Sequence, residues 1–151
     1  MNTLELEHAI KSNKITRKNF VGVLSRNQLP SSISFPSHFI LNTQNSNQRG
    51  EHWLSLFYDV NGHCSFFDSY GNSPQYFNLL EFIKKTSNSY DYNNLKIQNF
   101  SSYCGIYCIF FVYWKSLGYS TLKIKNLFKT IQKRYNSVDF YFKKFILKFD
   151  K

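Results

Sequence analysis

Apolar and polar positions change rhythm several times along this chain. Leu6, Ala9 and Ile10 recur at helical spacing within Leu4–Lys11, which predicts a short amphipathic helix. Lys14–Arg26 reads as a second short segment that ends before Leu29-Pro30, and Pro30 to Pro36, rich in serine, reads as a loop. His38–Thr43 alternates weakly and is β-branched enough for a strand. Gln44–Gly50 is a polar connection. Two apolar runs, His52–Val60 and His63–Asp68, then flank Asn61-Gly62. Asn-Gly between two such runs is the strongest short hairpin signal. In a tight hairpin the start of one strand lies beside the end of the other, so His52 and Asp68 are predicted to be neighbours.

Beyond the hairpin the period shifts toward helix. Ser73-Pro74 reads as a helix start, Ser at the N-cap and Pro at the first position, with Tyr76, Phe77, Leu80 and Ile83 as its apolar stripe. Leu95–Gln98 is a candidate third or fourth strand. Cys104–Leu117 is apolar all round and ends at Gly118, which predicts a central buried helix. Ser120–Arg134 reads as a basic amphipathic helix with Ile124, Leu127, Phe128 and Ile131 inward. Val138, Tyr141, Phe142, Phe145, Ile146 and Phe149 have the spacing of a last helix. The predicted fold is α+β, with residues 1–151 as a single domain. A central, mostly antiparallel sheet packs against a buried helix that carries Cys104 at its N-terminus, with further helices around it.

Charge adds a question about partners. Lys+Arg 19 against Asp+Glu 9 gives a formal +10 over 151 residues. The excess lies mainly in Lys11–Lys18 and Lys115–Lys151. Such a surface suits nonspecific contact with duplex DNA, and it also suits a soluble domain that is merely basic. Lys123, Lys125, Lys129, Lys133 and Arg134 recur along one predicted helix and are the candidate DNA contacts. Three cysteines are too few and odd in number for a secreted disulfide framework, so a reducing compartment is expected. The longest apolar stretch, Ile106–Trp114, is far short of the ~20 residues a bilayer span needs, so no membrane role is expected.

The chemistry lies in three segments: Gly50-Glu51-His52-Trp53, Phe66-Phe67-Asp68-Ser69-Tyr70-Gly71, and Gln98 followed after five residues by Cys104-Gly105. His, Asp, Gln and Cys are the parts of a cysteine hydrolase. Cys104 is the candidate nucleophile, His52 the base and acid, Asp68 the carboxylate that orients it, and Gln98 an oxyanion donor. A helix N-terminus at Cys104 would favour its thiolate. Gly50, Glu51 and Trp53 flank the His and are candidates for the substrate-binding wall. Cys64 and Cys108 read as small core residues, and Asp59 as a polar residue of the hairpin. His63 is expected to be exposed beside the turn, and His8 and His38 have no partner in view. His63, Cys64, Cys104 and Cys108 lack a metal-finger spacing, so no metal is expected.

These ordered segments resemble the adenovirus-type and ubiquitin-like-protease clan of cysteine peptidases, and among them the small maturation proteases of DNA viruses and virus-like transposons. The likeness runs from Phe20 to Phe142. Phe20-Val21-Gly22, Leu29-Pro30, Phe39–Thr43 and Asn136–Phe142 agree with the family's flanking segments. Two departures stand out. Adenoviral enzymes have Glu where this chain has Asp68, as the ubiquitin-like branch does. They also have a cysteine upstream of the Gln that joins a viral peptide, and Ser87–Ile97 has none. The resemblance implies cleavage of viral precursor proteins at Gly-containing sites during particle maturation. It also implies a monomer in the virion and in the host nucleus or cytoplasm, with DNA or a peptide held without a disulfide as candidate cofactors. The rivals are a processing protease for a ubiquitin-like modifier and a non-catalytic nucleic-acid-binding domain. Acyl transfer by the same Cys–His pair is more distant.

Overall fold

The chain is described here by a computed structural model over residues 1–44, 46–47, 52–98, 103–135 and 138. Its first helix, α1 (Thr3–Ser12), opens on a reciprocal cap. The Glu5 N–H donates to the Asn2 side chain at 2.9 Å, and the Asn2 N–H donates to Glu5 Oε2 at 2.8 Å. The helix buries Leu6, Ala9 and Ile10, the three positions its periodicity selects. The undecided stretch 14–26 contains a strand, β1 (Phe20–Leu24).

The strand expected near His38 is β2 (Ser37–Asn42), and the hairpin forms as β3 (Trp53–Tyr58) and β4 (His63–Phe67). Asp59 stabilises the turn, accepting from the N–H of Asn61 at 2.8 Å and of His63 at 3.0 Å. A fifth strand, β5 (Ser89–Tyr92), completes a sheet in the order β1-β2-β3-β4-β5. The two central pairings are antiparallel, whereas β1 with β2 and β4 with β5 are parallel. The sheet is therefore mixed, antiparallel at its centre and parallel at its edges.

Period-two alternation divides the sheet residues between two cores. Phe39, Leu41, Leu54, Leu56, Tyr58, Cys64 and Phe66 pack with Leu79 and Ile83, the latter on α2 (Leu80–Thr86). On the other face, Ile40, Trp53 and Phe67 meet α1 and two further helices, α3 (Cys104–Ser116) and α4 (Thr121–Tyr135). Ser55 and Ser65, also fully buried, share that second face with Phe67 and Phe57 by register. Their small side chains let α3 lie close to the sheet. Helix α3 is buried from Cys104 through Val112, as its unbroken apolar sequence predicts. Phe67 stacks on Phe111 at 4.6 Å, and Phe128 of α4 sits 4.8 Å from Phe110.

Three sequence expectations change. Leu95–Gln98 is not a strand: the N–H groups of Ile97 and Gln98 both donate to one carbonyl, that of Ser69, instead of forming a ladder. The helix expected from Ser73 is split. Pro74–Phe77 forms a 3-10 turn, Asn78 adopts a left-handed φ of 57°, and α2 begins afterwards, so Tyr76 faces solvent. His38 does have partners, being buried between Phe20 and Phe57 with Nε2 on the Lys18 carbonyl at 3.2 Å. The expected last helix lies outside the described residues except for Val138, which is helical and buried. Among the described residues no helix is long and apolar enough to cross a membrane.

Candidate active site

The hairpin delivers the first two site residues. His52 immediately precedes β3 and Asp68 immediately follows β4, and His52 Nε2 lies 2.6 Å from Asp68 Oδ1. Asp68 is fully buried, while the His52 side chain is 15% exposed. The carboxylate also accepts from two backbone amides, Tyr70 N–H to Oδ1 and Asn72 N–H to Oδ2, each at 3.1 Å. These bonds hold both oxygens and so fix the direction in which the imidazole is pulled. Tyr70 lies at 5.2 Å and Phe77 at 6.1 Å from the His52 ring, ring centre to ring centre.

Helix α3 brings the third residue. Cys104 is its first residue and lies close enough to His52 for the two to bias each other's ionisation. Burial opposes a charge on either group, yet the pair overcomes it. Burial lowers the affinity of His52 for a proton, but the bond to Asp68, the bond to Cys104 and the two negative charges raise its pKa to about 9. Burial raises the Cys104 thiol, but the bond and charge of His52 and the backbone amides of Trp53 and Gly105 pull it below its ordinary value. The N-terminus of α3 acts in the same direction. The arrangement favours a thiolate–imidazolium pair, a nucleophile ready without prior proton transfer.

The fourth residue arrives on the loop between β5 and α3. Asn93 clamps that loop to the Asp68 backbone. Its Nδ2 donates to the Asp68 carbonyl at 2.7 Å, and its Oδ1 accepts from the Asp68 N–H at 3.2 Å. Gly71, at φ +77°, comes so close that a Cβ there would lie 2.7 Å from the Leu95 carbonyl carbon, so only glycine lets the two loops pack. The Tyr107 hydroxyl donates to the Ile97 carbonyl at 3.4 Å and ties the loop to α3. Gln98 is thereby held in a buried position beside Ser69, whose hydroxyl donates to its Oε1 at 2.5 Å.

The other candidates divide. Trp53 is nearly buried. Its indole N–H donates to the Met1 carbonyl at 3.2 Å, and its own carbonyl accepts from the Cys108 thiol at 3.4 Å. A Cβ on Gly105 would lie 3.3 Å from the indole, so glycine lets the Cys-bearing end of α3 approach β3. Gly50 and Glu51 lie outside the described residues. Lys125, Lys129 and Lys133 form a row at four-residue spacing on α4, while Lys123 and Arg134 lie on the other side of its exposed face. Lys123 sits over the Tyr119 ring and Arg134 over Tyr135. Cys64 and Cys108 are buried core thiols. His63 is half-buried, bonded to Ser89 and facing Asp91, in place of the exposed position expected. Among the described residues no three His, Cys, Asp or Glu side chains are grouped to hold a metal ion. Sequence reasoning missed Asn93, the Ser69–Gln98 bond and the two rings beside His52. An Asn in Asn93-Asn94 carries no local signal, and the other contacts join residues distant in sequence.

A carboxylate, an imidazole and a thiol in this order are the groups that a cysteine hydrolase uses. The chain is similar to cysteine proteases of African swine fever virus. It is 31% identical over 85 residues to the SUMO-1 cysteine protease of a warthog isolate and, equally, to the cysteine protease of the Vero-adapted Badajoz strain. Each match spans 48% of this chain and 31% of the relative, so the chain covers under a third of these relatives' length. The crystal structure of the African swine fever virus protease aligns over 56% of this chain and 36% of its own, at 26% identity and a TM-score of 0.43. No protein-family model matches.

Proposed function

We propose that this chain is a cysteine endopeptidase of the adenovirus-type and ubiquitin-like-protease clan that cleaves viral or virus-like precursor proteins at Gly-containing sites during particle maturation. The observation that carries the reading is the connected set of Asp68, His52 and Cys104, with the sulfur at the start of a buried helix. In the proposed cycle the Cys104 thiolate attacks the scissile carbonyl carbon and the π-bond electrons move to oxygen. The backbone N–H of Cys104 and the Gln98 amide receive that oxyanion. As it collapses, the C–N bond breaks and the His52 imidazolium gives its proton to the leaving amine. Water, deprotonated by the now neutral imidazole, then attacks the thioester and expels the Cys104 thiolate, restoring the ion pair. The Asp68 carboxyl accepts from the imidazolium and stabilises it. No metal takes part in the scheme. Duplex DNA and a non-covalently held peptide are the proposed cofactors, and a monomer in the virion and the host nucleus or cytoplasm is the proposed form.

The name of the warthog-isolate relative, a SUMO-1 cysteine protease, supports a second reading, a protease acting on a SUMO-type modifier. Both readings use the same catalytic parts and differ in substrate. The test sets wild type and Cys104→Ala against Gly-containing precursor peptides and a SUMO-1 conjugate, with and without DNA. Cleavage of the peptides by wild type alone supports the first reading. Preferential cleavage of the conjugate selects the second, and cleavage of neither by a folded protein defeats both.

A further inference from the structure

Ser69 follows Asp68 and is fully buried. Its hydroxyl donates to Gln98 Oε1 at 2.5 Å. Its carbonyl accepts the N–H of Ile97 at 3.0 Å and of Gln98 at 3.1 Å. Three bonds from one residue thus fix both the backbone and the side chain of Gln98. The orientation of that side chain matters because the two ends of a carboxamide have opposite character: Oε1 only accepts and Nε2 only donates. A Gln that serves an oxyanion must present Nε2. With the ends exchanged, a carbonyl oxygen would face the developing negative charge and repel it.

We propose that Ser69 is a positioning residue that sets the sense of the Gln98 carboxamide, holding Oε1 so that Nε2 is the end offered to the oxyanion. Two consecutive side chains then share the organisation of the site. Asp68 orients the base, Ser69 orients the oxyanion donor, and one turn, closed by the Gly71 N–H on the Asp68 carbonyl at 2.8 Å, carries both. Loss of the buried hydroxyl removes a donor that Oε1 accepts from, and with it the preference for this sense of the amide.

The inference rests on the cysteine-peptidase reading, and its test separates the two. Ser69→Ala should lower kcat about 5- to 10-fold, the worth of one oriented hydrogen bond, with KM little changed. Iodoacetamide labelling of Cys104 should keep its wild-type rate, because alkylation needs the thiolate and no oxyanion donor. In a Gln98→Ala background the further change Ser69→Ala should cost nothing, since no amide is left to orient. Ser69→Cys keeps the volume with a weak donor, so it covers the case in which Ala disturbs folding; it should lose a smaller part of kcat. An equal loss from Ser69→Ala in both backgrounds would show that Ser69 acts through Asp68 or the fold and would overturn the proposal. Undiminished kcat in Ser69→Ala would overturn it as well. An unreactive Cys104 in the wild-type protein defeats the peptidase reading itself.

Discussion

The three cysteines offer the sharpest check on the site, because burial and partners drive them apart. Burial pushes the Cys64 thiol up to about 12 and the Cys108 thiol well above its ordinary range. Cys104 is drawn below the ordinary value of 9 by His52 and the amides around the sulfur, despite its burial. At neutral pH Cys104 should therefore hold at least about 10³ times the thiolate of Cys64. A thiolate of lower pKa is a weaker nucleophile, with a Brønsted slope near 0.4–0.5, so the advantage in rate shrinks to at least about 30-fold. Accessibility widens it again, since Cys64 and Cys108 are fully enclosed and Cys104 is 7% exposed. The assay is a short iodoacetamide pulse on the folded protein followed by mass mapping of the three sites. His52→Ala removes the bond and the cation and leaves burial dominant, so labelling of Cys104 should fall by about 10-fold or more. Equal labelling of the three thiols would refute the reasoning. So would a Cys104 rate that rises only above pH 9, since it would mean that His52 does not hold the thiolate.

Activity against a peptide substrate should need the ion pair. It should rise with pH through the depressed Cys104 ionisation and fall as His52 loses its proton at about 9, so the alkaline limb of kcat/KM reports His52. The His52 contribution to stability is fully present below its unfolded value of 6.5 and is lost as pH rises through about 9; urea midpoints of wild type and His52→Ala should converge over that span. Asp68→Asn should lower kcat at least about 100-fold, since it removes the charge that steadies the imidazolium, while Asp68→Glu should keep more; an active Asn variant would assign the orienting role elsewhere. Phe67→Ala, fully buried against Phe111 and Phe128, should cost about 3–5 kcal/mol in denaturant unfolding, and a smaller loss would mean that α3 closes over the gap. Duplex DNA should bind without sequence preference, with a slope of log K against log salt near −3.6 for ~4 phosphate contacts; no anisotropy change at low salt would remove DNA as a cofactor.

Much of the frame was legible because it depends on short-range signals. Asn61-Gly62 set the hairpin register, and with it the meeting of His52 and Asp68. Unbroken apolar sequence after Cys104 announced a buried helix, and the sulfur sits at its first residue. The failures share one cause. Leu95–Gln98 has strand-like composition, but tertiary contacts with Ser69 and Gly71 take its backbone donors and its space. The parallel edges escaped notice because parallel partners are joined by long connections, which leave no local turn motif. β1 pairs with β2 across a loop, and β5 returns to β4 only after α2. Asn93 illustrates the same limit, since its bonds to the Asp68 backbone span twenty-five residues.

Cys104 rides on a helix while His52 stands at the end of the central strand β3, and the two meet where α3 packs on β3. This inverts the usual relation between burial and reactivity in a folded chain. Ordinary core thiols such as Cys64 and Cys108 are protected by the native state and exposed by its loss. Cys104 should be quickened by the native state, which lowers its pKa, and should revert to an unremarkable thiol when the layers part. Thiol trapping across an unfolding transition would therefore show two sites speeding up while the third slows down. Cys104 would then be its own reporter of whether the two layers are docked.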